Sequence, residues 1–188
     1  MKLSLIENPI SDAAIKCFVR FGARKTSMSD IAKEAGISRP TLYASYKNKD
    51  EVFAGVIRHG AMLRLCAFQE RCKETEILGE QLNIYFEDVI ISSYDFLKDS
   101  QDGQMTSYGS TEISHNALAE TRLWARDTVA EILMPYQDKI MSTGQTVEQL
   151  AHFTVSASAG FRLIISNRDE LLSLLLSLKA IVLAIAED

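Results

Sequence analysis

Helical spacing of apolar residues runs through almost the whole chain, and this pattern constrains the fold more than any other feature. After Asn8 and Pro9, apolar side chains recur every third or fourth position as far as Gly22. Asn is a favoured N-cap and Pro fits the first turn, so the segment predicts one helix with a single buried stripe. Only three Pro and nine Gly interrupt the 188 residues, and no alternating stretch predicts a strand. The sequence therefore predicts an all-α protein of about nine helices.

Residues 27–46 contain two short helices joined by a turn. Ser27 and Asp30 form a capping-box pattern ahead of the first helix, and Gly36 ends it after barely two turns. Ser38 caps the second helix, and apolar residues occur at the spacing that packs such a pair onto a third helix. The pattern indicates a helix-turn-helix, although any amphipathic helix pair with a glycine turn can produce it.

The second of these helices has side chains suited to the major groove of DNA. Arg39 can pair with a guanine edge, and Thr41 can bond a base or meet a thymine methyl group. Tyr43 and Lys47 can reach phosphates. Lys49 lies in the first turn of the next helix, where the helix dipole disfavours a cation, so we predict that it faces a DNA phosphate. The alternative for both lysines is an ordinary solvated surface.

The net charge of −5 hides an uneven distribution along the chain. Residues 1–50 hold nine Lys and Arg against five Asp and Glu, whereas the other 138 residues hold 11 against 20. The positive charge therefore coincides with the helix-turn-helix pattern. This coincidence favours a nucleic-acid partner for the N-terminal segment, which the acidic total alone would have argued against.

The stretch from Ile10 to Ile57 resembles the N-terminal DNA-binding domain of the tetracycline-repressor (TetR) family of bacterial regulators. The shared features are DAA, Phe18 before Gly22, the segment DIAKEAGIS, and TLY, in that order and without gaps. The resemblance implies an all-α homodimer whose two helix-turn-helix heads read the half-sites of a palindromic operator. It also implies a repressor that a small-molecule ligand releases from double-stranded DNA.

The resemblance also assigns DNA-facing positions within this sequence: Ser27, Arg39, Pro40, Thr41, Tyr43, Ser45 and Lys49. Among them, Ser27, Tyr43 and Lys49 correspond to phosphate contacts. Pro40 replaces a more usual small residue, and Ser45 stands where His is common. Both departures lie on the presumed reading face, so they bear on which operator is bound.

The resemblance divides the chain into a DNA-binding domain at 1–50 and a helical regulatory and dimerisation domain at 51–188, joined by a long helix. Aromatic and polarizable side chains scattered over the second domain would suit an apolar or aromatic effector. They are Phe86, Met105, Tyr108, His115, Trp124 and Phe161. The alternative for each of them, and the more common role of such side chains, is an ordinary place in a helical core.

The last two helices have the pattern of a dimer interface. The final helix is apolar on nearly all sides, and the penultimate one carries small residues that permit close approach. The predicted interface residues are Val155, Ala159, Leu163, Leu171, Leu175, Leu178 and Val182. The alternative is that the final helix forms the centre of a monomer core.

Other functional classes find no support in the sequence. No catalytic motif, metal-ligand pattern or cofactor motif is present, and the three His residues are far apart. Three Cys without a CxxC pair, no signal-peptide pattern and no apolar stretch of about 20 residues predict a cytoplasmic protein without a membrane span. One alternative from another class remains, a helical sensor or adaptor whose helix-turn-helix is only a scaffold.

Overall fold

The computed structural model describes residues 8–99 and 111–187, and the described residues are helical with no strand. The helices are α1 (Pro9–Phe21), α2 (Met28–Glu34), α3 (Arg39–Ser45), α4 (Lys49–Cys72), α5 (Leu78–Tyr85), α6 (Ser92–Asp99), α7 (Glu112–Leu133), α8 (Gln137–Ser142), α9 (Val147–Ile164) and α10 (Arg168–Ala186). A π-helix (Phe86–Ile91) joins α5 to α6 without a break, and a 3₁₀ turn (Met134–Tyr136) joins α7 to α8 in the same way. The predicted all-α class is confirmed.

Capping side chains start the helices where the sequence predicts. The Asn8 Oδ1 atom accepts a hydrogen bond from the Ser11 N–H at 3.1 Å at the start of α1. At α2 and α9 the caps are reciprocal, because Ser27 and Thr146 each exchange bonds with the residue three positions later. These bonds satisfy N–H groups that have no partner inside their own helix.

One helix start differs from the sequence prediction. The composition of Lys98 to Asn116 predicts a loop with at most one short helix, and the next long helix is predicted from about Ala117, but α7 begins at Glu112. Thr111 caps it, since the Thr111 Oγ1 atom accepts a hydrogen bond from the Ser114 N–H at 3.3 Å. The polar residues ahead of Ala117 therefore belong to a capped first turn, which their loop-like composition conceals.

The described residues form two compact units. One comprises the residues up to Leu63 together with those from Asp95 to Thr121, and the other comprises Arg64–Tyr94 and the residues from Arg122 onward. Both α4 and α7 contribute to each unit. The predicted boundary at residue 50 falls at the start of α4, but the N-terminal half of α4 belongs to the first compact unit. The division into functional domains at this position stays a prediction.

The core of the first unit forms where α1, α2 and the start of α4 meet. Phe18 is 1% exposed, and its ring lies 5.6 Å from that of Phe53. Leu42 is the one buried residue of α3 and is fully enclosed. The Nδ2 atom of Asn8 donates to the Tyr46 hydroxyl at 3.2 Å, which ties the start of α1 to the end of α3.

The second unit packs α5, α8, α9 and α10 around a separate core. Tyr85 is completely buried, and the Phe68 ring lies 5.7 Å from it, edge to face. The final helix buries a stripe that includes Leu171, Leu175 and Val182. Among the described residues, no helix is long and apolar enough to span a membrane, and no group of His, Cys, Asp or Glu is placed to hold a metal ion.

Two glycines offer a paired test of the backbone. Gly36 has a φ of +66°, whereas Gly79 lies in α5 and an added Cβ there would make ordinary contact with Leu183 at 3.5 Å. We expect Gly36→Ala to destabilise the protein by about 1 kcal/mol or more because of backbone strain, and Gly79→Ala to stabilise it by about 0.5 to 1 kcal/mol. Urea unfolding of both variants measures the two changes, and equal signs would contradict this assignment.

Candidate functional site

The third helix, α3, presents its side chains to solvent with one exception. Leu42 points into the core of the first unit and anchors the helix. The exposed side chains are Arg39, Pro40, Thr41, Tyr43, Ala44 and Ser45. A seven-residue helix with a single buried residue contributes little to the core, so its other faces are available to a partner.

The turn before α3 fixes the direction in which the helix leaves α2. Gly36 adopts a left-handed backbone conformation, and the Ile37 N–H donates to the Ala32 carbonyl at 3.0 Å across the turn. The Ser38 Oγ atom then accepts a hydrogen bond from the Thr41 N–H at 3.2 Å, and the two hydroxyl groups lie 2.7 Å apart. The Thr41 hydroxyl group therefore belongs to the cap of α3, while the residue as a whole stays exposed to solvent.

Ser27 is exposed at the start of α2, where the sequence places a phosphate contact. Its Oγ atom lies 2.6 Å from the Asp30 carboxylate, and its backbone N–H donates to the same oxygen at 2.9 Å. These two hydrogen bonds lower the pKa of the Asp30 carboxyl group below its usual value. The Ser27 side chain thus serves first as a helix cap.

The Lys49 side chain lies against the backbone of its own chain, and its contact with a DNA phosphate stays a prediction. The Lys49 ammonium group donates to the backbone carbonyls of Ala23, Arg24 and Thr26 at 2.8, 3.1 and 2.9 Å. Its three protons are thereby used, and the carbonyl dipoles of the segment between α1 and α2 supply the negative partner that the start of α4 lacks. Burial lowers the pKa of Lys49, and nearby Asp50 partly offsets this effect. Lys47, by contrast, is exposed.

The predicted effector residues do not form one cluster. Phe86 is buried and Trp124 and Phe161 are partly buried, all three within the second unit. His115 is exposed and belongs to the first unit. Met105 and Tyr108 lie outside the described residues.

A group of charged residues that the sequence analysis missed lies near Tyr85 in the second unit. Arg162 acts on Tyr85 electrostatically. The Ser158 hydroxyl group donates to the backbone carbonyl of Thr154 at 2.8 Å. Complete burial raises the pKa of Tyr85 to about 12. Burial, and to a lesser extent the positive charge of Arg162, lower the pKa of Arg64 to about 10. No sequence pattern signals this group, because its members come from three helices far apart in the chain.

Most of the predicted dimer-interface residues face the core of their own unit. Within the single chain Val155, Leu171, Leu175, Leu178 and Val182 are each no more than 3% exposed, so they offer no surface to a second copy. Ala159 is partly buried, and Leu163 is 55% exposed. The apolar residues that α9 and α10 leave exposed are Phe153, Leu163, Ile164, Leu176 and Ile181. An apolar sequence on all sides of a helix cannot tell which side faces inward.

The helix pair α2 and α3, with the Gly36 turn between them and α3 exposed, is the arrangement of the helix-turn-helix class of proteins.

Residues 10–56 match the family model described as bacterial regulatory proteins, tetR family. The regulator YhgD of Bacillus subtilis, described as uncharacterized, is 43% identical over 44 residues, which are 23% of each chain. The repressor ComR of Escherichia coli is 39% identical over 46 residues, 24% of this chain and 22% of that protein. The chain thus matches less than a quarter of either relative's length.

Solved structures show the same fold over nearly the whole chain. A transcriptional regulator from Cytophaga hutchinsonii matches with a TM-score of 0.69 and 18% identity over 95% of both chains. The regulator FadR from Bacillus subtilis, solved with stearoyl-CoA, matches with a TM-score of 0.56 and 19% identity over 95% of this chain and 97% of that one. The resemblance is confirmed: residues 10–56 match the tetR family model, and nearly the whole chain has the same fold as these solved regulators.

Lys49 and Lys47 provide a matched test of structural and surface lysines. We expect Lys49→Met to lower the free energy of unfolding by about 2 kcal/mol, because three carbonyl groups lose a charged donor. Lys47→Met should change it by no more than about 0.5 kcal/mol, since the residue is exposed. Thermal and urea unfolding monitored by circular dichroism make the comparison. Equal stability of the two variants would contradict a structural role for the three hydrogen bonds of Lys49.

Proposed function

We propose that the protein is a dimeric, sequence-specific DNA-binding repressor that a small-molecule effector releases from a palindromic operator. The observation that carries the proposal is the exposure of α3, which a single buried leucine holds in place. A repressor of this kind acts where the bacterial chromosome is, so the proposal implies a cytoplasmic protein. It assigns no chemical reaction to the chain.

In the proposed complex, α3 lies in the major groove with its N-terminal end at the base edges. Arg39 is the side chain best suited to read a base, because a guanidinium group can pair with a guanine in two hydrogen bonds. Tyr43 is 44% exposed and can reach a phosphate. Lys47 supplies a further phosphate contact. Lys49 contributes indirectly, by holding the segment before α2.

A second copy of the chain is proposed to cover the exposed face of α9 and α10. The exposed side chains of α10 between its first turn and its end include Ser173, Leu176, Ser177 and Ile181, none of them charged. On α9, an added Cβ at Gly160 would meet nothing within 4 Å, so the glycine has no packing role inside the chain. A charge-free, partly apolar face of this kind is typical of an interface. Pairing is needed because two heads must meet half-sites about 34 to 36 Å apart.

Release by an effector is proposed as a shift between two arrangements of the heads. The regulator FadR binds stearoyl-CoA in its solved structure, and the relative ComR is described as a repressor. In this chain, α4 and α7 contribute residues to both compact units. A change that an effector imposes on the second unit can therefore reach the first through continuous helices.

Substitutions in the head test the proposed DNA contacts. An operator is first selected from a random duplex pool with the full chain, and binding is then measured over a range of salt concentrations. We expect Arg39→Ala to weaken operator binding by about 10- to 100-fold and to relax the preference at one base pair. Lys47→Ala should weaken binding to all sequences and reduce the log–log salt slope by about 0.9.

Lys139→Ala, at an exposed lysine of α8 in the second unit, is the matched control and should leave the DNA affinity unchanged. Retention of operator binding by Arg39→Ala would remove Arg39 from the reading face. If no duplex sequence is enriched, the chain is instead a sensor or adaptor whose helix-turn-helix is a scaffold.

The proposed dimer is tested at its centre. Leu176 is 61% exposed in the single chain, and Leu176→Glu should convert the dimer to a monomer because it buries an unpaired charge at the interface. Met141→Glu, at a residue of α8 that is 62% exposed, should leave the dimer intact. Sedimentation equilibrium gives the masses. A wild-type monomer, or a Leu176→Glu dimer, would contradict the proposed interface.

A further inference from the structure

The short segment between α1 and α2 carries two adjacent cations, Arg24 and Lys25, which lie outside the DNA-facing positions assigned above. Both residues are exposed to solvent. The cations of α1 itself are engaged within the chain, because Lys16 pairs with a carboxylate of α2 at 3.9 Å and Arg20 lies 5.1 Å from the centre of an aromatic ring. Among the described residues, no carboxylate is within salt-bridge distance of Arg24 or Lys25.

Hydrogen bonds from two side chains fix the backbone of this segment. The hydroxyl group of Thr26, which is 2% exposed, donates to the Gly22 carbonyl at 2.9 Å. The Lys49 ammonium group donates to three carbonyls of the segment, those of Ala23, Arg24 and Thr26. The negative ends of these carbonyl dipoles therefore face a cation of the chain itself and not an approaching anion.

The same hydrogen bonds place Arg24 and Lys25 near the start of α4. Lys49 is the first residue of that helix, and the backbone of the segment lies within reach of its side chain. Lys47, the proposed phosphate contact, precedes Lys49 by two residues, which is at most about 7 Å of backbone. The Lys47 N–H donates to the Glu51 carboxylate at 2.7 Å, so it too is held at the first turn of α4. Exposed cations from two separate parts of the chain are thus fixed around one helix start.

A DNA strand presents phosphates in a regular row that several fixed cations can meet together. Each strand carries one negative charge about every 3.4 Å of helix axis. In the proposed complex α2 is the first helix of the helix-turn-helix, and such a helix crosses the DNA backbone while the second helix enters the groove. The segment directly ahead of α2 therefore approaches phosphates beside the reading helix. Because its backbone is already fixed, binding orders only the two side chains, which lowers the entropic cost.

We propose that Arg24 and Lys25 bind phosphates at the flank of each operator half-site, and that Lys49 is the positioning residue that holds their backbone in place. Guanidinium and ammonium groups both bind phosphate through charge-assisted hydrogen bonds. The contact carries no sequence information, so it raises the affinity for every duplex and leaves base preference to α3. The inference rests on the proposed DNA-binding function and extends its contact surface to the segment before α2.

Removal of the two charges tests the contact. The Arg24→Gln/Lys25→Gln double variant keeps polar side chains and is compared with the wild type on the selected operator and on a duplex of scrambled sequence, over a range of salt concentrations. We expect binding to both duplexes to weaken by about tenfold or more at low salt. The log–log salt slope should fall by about 0.9 for every phosphate contact that is lost. The base preference found by selection should stay the same.

The Lys16→Gln/Lys33→Gln double variant is the matched control. It removes the same charge from the first unit at two exposed residues, and Lys16 pairs with Glu34 at the opposite end of α2 from the segment. Its affinity should stay within about twofold of the wild type, because salt screens charges that touch no phosphate. Equal losses in the two double variants would assign the effect to net charge and overturn the proposal. An unchanged salt slope for Arg24→Gln/Lys25→Gln would also overturn it.

A double-mutant cycle tests the positioning role of Lys49. The Arg24→Gln/Lys25→Gln substitutions are repeated in the Lys49→Met background after its circular dichroism is found to be native. If Lys49 holds the segment, they should now weaken binding by about threefold or less, because the contact is already displaced. Effects that multiply would show that Lys49 acts independently and would overturn its positioning role. Thr26→Val replaces Lys49→Met in the cycle if that variant does not fold, since it loosens the same segment without changing the charge.

The duplex of scrambled sequence separates the inference from the proposed function. A chain that binds all duplexes alike and loses affinity with Arg24 and Lys25 contradicts operator recognition and supports the phosphate contact. A chain that reads an operator through Arg39, but binds it equally well without the two cations, supports the proposed function and overturns the inference. A chain that binds no duplex at low salt overturns both.

Discussion

The attachment of α3 by one side chain is the constraint on which the proposed function depends. Leu42 is fully enclosed, while its neighbours on α3 are exposed. Because one residue supplies the packing, the remaining positions of the helix can be chosen for a partner with little cost to the fold. A single apolar contact cannot fix the orientation of α3. The Gly36 turn, the Ser38 cap and the hydrogen bond from Asn8 to Tyr46 fix it instead.

Lys49 shows how the same head uses a cation for structure. Its position in the first turn of α4 disfavours a positive charge on dipole grounds alone. Three carbonyl oxygens from the segment after α1 reverse that balance, and in doing so they fix the segment that leads to Ser27 and α2. The proposed DNA-facing surface therefore consists mainly of side chains on α3, whereas Lys49 stabilises the scaffold of the first unit.

The second unit also contains arginines, and they differ in their surroundings. Elsewhere on α4 the arginines meet carboxylates, and these pairs join helices within their own units. Burial lowers the pKa of Arg64 on the same helix and that of Arg162 on α9.

The sequence by itself determined the helical class, the capped helix starts and the two short helices around the Gly36 turn, because these depend on interactions within a few residues of each other. The caps at Ser27 and Ser38 are examples, and the same local motif carries the match to the tetR family model. Only the tertiary structure decided which side of α10 faces the core, where the Lys49 ammonium group points, and that Arg58 pairs with Glu120. Those outcomes depend on partners that are distant in the chain, and a periodic apolar pattern or a single charge carries no information about such partners.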